Sequence, residues 1–290
     1  MWNGAAAAAQ SVAMGTRQRE NTGGTQSIER ALALLRALAT RGRFGWTLSE
    51  LAAAAGLKKT TAHRILGRLE QERLIHRRDG GDRYVLGPGL GELSLCVPGF
   101  HEFVSRARAH GASLGRKLSL VTIVSLRSGD HFVLAARTAS AHMATHIHEE
   151  GSYRPLISTA GGIAILITLP AALQDRIIGA NVRELALRGR TQLAHCHSML
   201  KRSRTLGVGA NFGDMAAGTN AVAVPFGDTP EGAIGSLTVA GPESQLDQAR
   251  CLALVPLLRE QAQPLTQLAR QVYGGSSHIA ASLTAASPLR

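Results

Sequence analysis

Between Lys58 and Arg68 the chain reads Lys-Lys-Thr-Thr-Ala-His-Arg-Ile-Leu-Gly-Arg, and no carboxylate interrupts it. Lys58, Lys59, Thr60, Thr61, His63, Arg64 and Arg68 are all hydrogen-bonding side chains. Lysine and arginine neutralise phosphate, while an arginine fork or a hydroxyl reads the edge of a base in the major groove. A second basic group, Arg77, Arg78 and Arg83, surrounds Asp79-Gly80-Gly81-Asp82. These residue types suit binding to a polyanion better than making or breaking bonds.

Other constellations carry less. Ser158-Thr-Ala-Gly-Gly-Ile-Ala164 would leave backbone N–H groups open at a helix start, where the dipole favours an anion such as a small carboxylate. The same glycines would equally serve close packing of helix on sheet, and spacing alone does not choose. His195-Cys196-His197 resembles a metal motif, but adjacent residues on a helix diverge and share one ion poorly. On a strand His146 and His148 share a face with few carboxylates nearby except Glu149 and Glu150, which reads as a surface pair. No metal or other cofactor is implied. No G-x-S-x-G, HExxH, P-loop or dinucleotide fingerprint is present. Cys196 beside two histidines is the one arrangement that suggests a nucleophile, so an enzyme is a distant alternative.

The elements that position the basic residues are legible. Leu48, Leu51, Ala52 and Ala55 fall at i, i+3, i+4 and i+7, the period of one helical face. Thr47 and Glu50 form a capping box at its start, and Gly56 ends it. Ala62, Ile65, Leu66 and Leu69 repeat the pattern from about Lys59 to Gln71, which turns the basic residues outward. Two helices joined through a glycine turn describe a helix-turn-helix, whose second helix enters the major groove. Leu74-Ile75 and Tyr84-Val85-Leu86 flank the Asp-Gly-Gly-Asp turn as a hairpin, so Arg77, Arg78 and Arg83 lie at or near the tip of a wing. A small domain with a solvated basic face is the bland alternative. Before these, Thr25 to Thr40 is a helix with Ser27 as a cap and Ile28, Ala31, Leu32, Leu35 and Leu38 inward, leaving Leu34 outside.

After the wing, a helix from Leu90, an interruption at Pro98-Gly99 and a helix from Phe100 to Lys117 make a hinge. Strands are expected at Leu118 to Leu126, His131 to Arg137, Met143 to His148, Ala221 to Phe226 and Ile234 to Ala240. Helices are expected at Ser158 to Leu169, Pro170 to Ile178, Leu193 to Thr205 and Leu246 to Gln271, with a loop at Leu187 to Thr191. Strand pairs followed by helices indicate an α+β domain with a mostly antiparallel sheet. The length of 290 residues suits two domains. Residues 1–24 read as a disordered tail, 25–90 as the DNA-binding domain, 91–103 as a linker, 104–273 as a second domain and 274–290 as a disordered tail; Met14 competes with Met1 as the start.

Composition agrees. Thr25 to Leu90 holds 12 Lys and Arg against 6 Asp and Glu, whereas Gly91 to Arg290 holds 18 against 13. The positive excess is concentrated where the helix-turn-helix lies, as phosphate binding requires. Three widely spaced cysteines without CxxC suit a reduced, cytoplasmic protein. The longest apolar stretch, Gly161 to Leu173, is too short and broken to span a bilayer, so no membrane partner is expected.

At Gln26-Ser-Ile-Glu-Arg-Ala-Leu32, Leu48-Ser-Glu-Leu-Ala52, Gly56 to Leu66 with its His63-Arg64 pair, and Arg83-Tyr-Val-Leu-Gly87, the chain resembles the IclR family of bacterial transcriptional regulators. The likeness runs to about Tyr273. It implies a winged helix-turn-helix followed by a GAF-like α+β effector-binding domain, and a transcriptional regulator that binds double-stranded DNA. A homodimer or tetramer is expected on a palindromic operator, with Leu34 a contact between subunits. The resemblance also implies a pocket for a small organic acid at Thr159, Ala160, Gly161 and Gly162, at Asn211, Asn220 and Ala221, and at Thr238 and Ala240. The chain departs from the family at Ile163, where Lys or Arg is common, at Asn211, where an acid is common, and at Ala221, where Cys is common. Those departures suit a less polar guest such as an aromatic acid, or a domain that no longer senses.

Overall fold

The computed structural model describes residues 25–138, 149–186 and 190–273. The two tails and the strand expected at Met143 to His148, with His142, His146 and His148, lie outside the described residues, as does most of the loop at Leu187 to Thr191.

The first group of elements is α1 (Gln26–Ala39), β1 (Trp46–Thr47), α2 (Leu48–Ala54), α3 (Lys59–Gln71), β2 (Ile75–Arg77) and β3 (Arg83–Leu86). Its core gathers Leu34, Leu38, Leu51, Leu66, Ile75 and Tyr84. The capping box forms as the sequence indicates: Glu50 N donates to Thr47 Oγ1 at 3.3 Å, and Thr47 N donates to Glu50 Oε2 at 2.8 Å. Gly56 takes φ +62°, a left-handed conformation that glycine adopts without a steric penalty. The hairpin gains a third strand, in the order β1-β3-β2, with Trp46 opposite Tyr84.

α1 corrects two expectations. Thr25 rather than Ser27 flanks its start, and no side chain caps it. Leu34, Ala37 and Leu38 are its buried residues, while Ile28 and Leu32 are 60% and 45% exposed. Leu34 is therefore a core residue and not a subunit contact. Apolar side chains occur on most sides of this helix, so periodicity alone mis-set its rotation by about one position.

α4 (Pro88–Leu95) leads through Gly99 to α5 (Phe100–Leu118). The second group then holds β4 (Val121–Ser128), β5 (His131–Thr138), β6 (Tyr153–Pro155), α6 (Ala160–Leu166), α7 (Ala171–Ala186), α8 (Arg190–Leu206), β7 (Gly209–Phe212), β8 (Thr219–Thr229), β9 (Gly232–Pro242), α9 (Gln248–Ala253) and α10 (Val255–Tyr273). Six strands form one antiparallel sheet in the order β6-β5-β4-β9-β8-β7. One face packs Val124, Leu126, Val222, Val224, Leu237 and Val239 with residues of α5 and α10. The other face meets α6, with a separate core of Phe132, Leu156, Ile163, Ile165, Cys196 and Met199 behind it. The fold is thus an N-terminal helix-turn-helix domain and a C-terminal α+β domain with an antiparallel sheet. β6 and β7 were not expected, α7 runs past Ile178 to Ala186, and the expected final helix is two helices meeting at Leu254 and Val255.

Candidate DNA-reading face and effector site

α3 divides cleanly. Ala62, Leu66 and Leu69 are buried, and Lys58, Lys59, Thr60, His63, Arg64 and Arg68 are exposed, with Thr61 half-buried. No side chain caps its start, so the first-turn N–H groups stay open beside two lysines. Lys58, Lys59, His63 and Arg64 take part in no ion pair among the described residues. Arg68 is engaged: it donates to Gln71 Oε1 at 3.2 Å and pairs with Glu72 one turn on.

The wing arginines are distributed differently from a cluster at the tip. Arg78 is at the turn, 3.2 Å from Asp79 and donating to the Arg43 carbonyl at 3.2 Å. Arg77 lies 5.2 Å over the Tyr84 ring and 3.8 Å from Glu70. Arg83 faces back towards the start of α2, donating to the Gly45 carbonyl at 3.3 Å and lying 3.8 Å from Glu50. Sequence spacing did not reveal this network, because it depends on β1 pairing with β3. At its centre Arg41 stacks on Trp46 at 3.6 Å and pairs with Glu50 at 2.7 Å. That hydrogen bond, followed by the Thr47 N–H, lowers the Glu50 carboxyl to about 2.

In the C-terminal domain the candidate pocket residues mostly converge. Thr159 Oγ1 accepts from Gly162 N at 3.1 Å and caps α6. Ala160 and Ala164 of α6 pack on Ala221, Ala223 and Ala240 of the sheet. A Cβ on Gly161 would lie 2.8 Å from Thr238 Oγ1, and one on Gly162 would meet the Leu156 carbonyl. Gly209 of β7 similarly has the Ala160 carbonyl against it. The glycines therefore do serve close packing of helix on sheet. Asn211 lies opposite Ala221, hence on the same face, but both ends of its amide are engaged: Nδ2 donates to the Thr219 carbonyl at 3.3 Å, and Oδ1 accepts from Met215 N at 3.2 Å. Asn220 is on the other face, where Nδ2 donates to the Leu246 carbonyl at 2.9 Å. Strand alternation separates it from Ala221. Two residues missed in the sequence, Ser125 and Ser236, face Gly161 beside Thr238. The period-two spacing of Ser236 and Thr238 was their only signal.

Cys196 is buried, and desolvation pushes its thiol up to about 11. A thiol held protonated is a poor nucleophile, and His195 and His197 are both exposed. No helix among the described residues is long and apolar enough to cross a membrane.

Comparison with known proteins agrees with this architecture. Residues 27–79 match the IclR helix-turn-helix domain, and residues 100–267 match the bacterial transcriptional regulator IclR C-terminal domain. The glycerol operon regulatory protein of Streptomyces griseus is 29% identical over 81% of this chain and 92% of its own. A solved IclR-type regulator from a Silicibacter species superimposes with a TM-score of 0.67 at 24% identity, over 83% of this chain and 95% of that one. An IclR homologue from Microbacterium hydrocarbonoxydans, solved with 4-hydroxybenzoate, gives a TM-score of 0.57 at 16% identity, over 84% of this chain and 99% of that one. With both domains matched in order, the chain belongs to the IclR family of bacterial transcriptional regulators.

Proposed function

We propose that this regulator binds a palindromic operator as a homodimer, reads it with α3, and changes DNA affinity when a small organic acid binds beneath α6. The observation that carries the reading is the division of α3 into a buried apolar stripe and an exposed face on which Lys58, Lys59, His63 and Arg64 take part in no ion pair among the described residues. Arg64 and Thr61 contact bases, while Lys59, Arg68 and Arg83 touch phosphate. Residues 25–90 form the DNA-binding unit, 91–103 the link and 104–273 the sensor, and the protein works in the cytoplasm beside its DNA. Among the described residues the large exposed hydrophobics are concentrated in the first two of these: Ile28, Leu32, Phe44, Leu86, Leu93, Leu95 and Val97, against Leu252 elsewhere. In this reading a second copy covers Ile28 and Leu32, in place of the buried Leu34.

An aromatic acid is the favoured guest, supported by the apolar Ala221, Ala223 and Ala240 of the sheet face, with Ile163 turned into the core behind α6 instead, and by the 4-hydroxybenzoate in the Microbacterium homologue. An effector can shift the regulator only by binding its free and operator-bound forms unequally. Isothermal titration of benzoate and 4-hydroxybenzoate into each form tests this, and at least a fivefold difference in affinity is expected. Equal affinities would remove the coupling. The direct seating of α6 on the sheet through Gly161 and Gly209 favours a second reading, a regulator that senses nothing. Failure of both acids to bind would support it.

A further inference from the structure

Two opposite charges, one from each domain, meet at the edge of the C-terminal sheet. Arg43 Nη2 of the N-terminal domain lies 3.2 Å from Glu149 Oε1 of the C-terminal domain. Both are firmly mounted. Arg43 sits in a single tight helical turn, Gly42–Phe44, set against the wing. Arg78 at the wing turn donates to its carbonyl at 3.2 Å, and a Cβ on the adjoining Gly45 would meet the Tyr84 carbonyl of β3. Glu149 opens a turn pinned to β5: Ser152 N donates to its carbonyl at 3.1 Å, and Gly151 N to the Leu134 carbonyl at 2.8 Å. The neighbouring Glu150 accepts from Arg108 of α5 at 2.5 Å and from Arg137 N at 2.8 Å. A second approach of the domains lies alongside. Burial pushes the Tyr153 phenol of β6 up, while its bond to the Ser128 carbonyl and the charge of Arg36 on α1 oppose that shift.

The domains meet on the wing side. A phosphate strand running along the wing comes within reach of Arg43, because Arg43 and Arg78 share one hydrogen-bonded corner. A planar guanidinium fits carboxylate and phosphate alike. Glu149 therefore takes the group that a phosphate would use, and its own charge stands where a polyanion would run. The chain also has a place to turn. Arg73 ties α4 to the N-terminal domain, pairing with Glu92 at 2.7 Å and accepting at its carbonyl from Gly89 N at 3.0 Å. Gly99, at φ +73°, then separates α4 from α5. Rotation there carries the N-terminal domain and α4 away from the sheet edge as one piece.

We propose that the Arg43–Glu149 pair is an autoinhibitory latch: it holds the wing against the sensor of its own chain, and DNA phosphate displaces Glu149 from Arg43. The inference rests on the DNA-binding role proposed above. With side chains 70% and 64% exposed, the pair is weak and screened by salt. That weakness suits a latch, since DNA opens it only through binding the open form better than the closed one.

The test measures the affinity of the full-length chain for a random-sequence duplex, where phosphate contact supplies the binding, over a range of salt concentrations. Glu149→Gln should tighten binding about two- to fivefold at low salt, and the gain should shrink as salt rises. Arg43→Gln should reduce the salt slope by about one, as loss of a phosphate contact requires. Combined with Arg43→Gln, the Glu149→Gln change should add almost nothing, because the two residues act through one contact. An equal gain from Glu149→Gln in both backgrounds would mean that its charge merely repels DNA, and would overturn the latch. So would no gain at all, or a salt slope that Arg43→Gln leaves unchanged; each of these results leaves the DNA-binding role standing. If the unaltered chain binds no duplex, that role falls and the latch with it.

Discussion

Arg64 and Lys59 stand on the same exposed face of α3, and their substitutions should behave differently. Arg64→Ala should cost about 1–3 kcal/mol of operator affinity and relax sequence preference at one position. Lys59→Ala should weaken binding to all sequences alike and flatten its salt dependence. Quantitative DNA-binding titrations over several sequences and salt concentrations separate the two. Arg64→Ala with unchanged affinity and preference would mean that α3 is not the reading helix. Glu50, at the start of α2, holds Arg41 and Arg83. Its carboxyl lies near 2 rather than 4.5 because Arg41 and the Thr47 N–H bond the charged form. A pKa lowered in the folded state stabilises the fold at neutral pH, and that contribution disappears as pH falls from 4.5 towards 2. Glu50→Gln should therefore lower stability at pH 7 and flatten its acid dependence in that window. With 36% of the side chain exposed, screening holds the effect below about 1 kcal/mol. Urea unfolding at pH 7 and pH 3 checks it: an equal loss at both would assign Glu50 a packing role instead.

Elements differed in how much of themselves the sequence disclosed. α2 and α3 were legible because Leu51, Leu66 and Leu69 fall on one stripe, with Thr47, Glu50 and Gly56 as punctuation. α1 was not, since Ile28, Leu32, Leu34 and Leu38 compete for the inner side and only tertiary packing decides. β1, β6 and β7 have two, three and four residues, too few to show alternation. Asn220 and Ala221 are neighbours in sequence, and strand parity alone sends one of them to the wrong face for the pocket. At α6 the choice between anion site and close packing needed coordinates, and contact through Gly161 decided for packing in this conformation. Gly161→Ala should then destabilise the domain by about 1–3 kcal/mol, since the new methyl meets Thr238 and Ser236 within 3.0 Å. A thermal midpoint equal to that of the unaltered chain would mean that α6 is free to move off the sheet at little cost.

For the molecule as a whole, the positive excess between Thr25 and Leu90 and the apolar exposure of Ile28 and Leu32 point the same way. One α3 contacts too few base pairs for selectivity, and two related by a dyad would read half-sites about 34 Å or a multiple apart. Replacing Ile28 and Leu32 together by Asp should leave the fold intact, since both are exposed, yet yield monomers with at least tenfold weaker operator binding. Light scattering after gel filtration reads the mass, and dimers of undiminished affinity would place the subunit contact elsewhere. The most direct test of the central claim is selection of bound sequences from a random DNA pool by the full-length protein at moderate salt. An inverted repeat is the predicted result, with half-sites one or more helical turns apart. Binding that yields no motif and simply fades as salt rises would contradict it, because the basic face would then hold phosphate without reading bases.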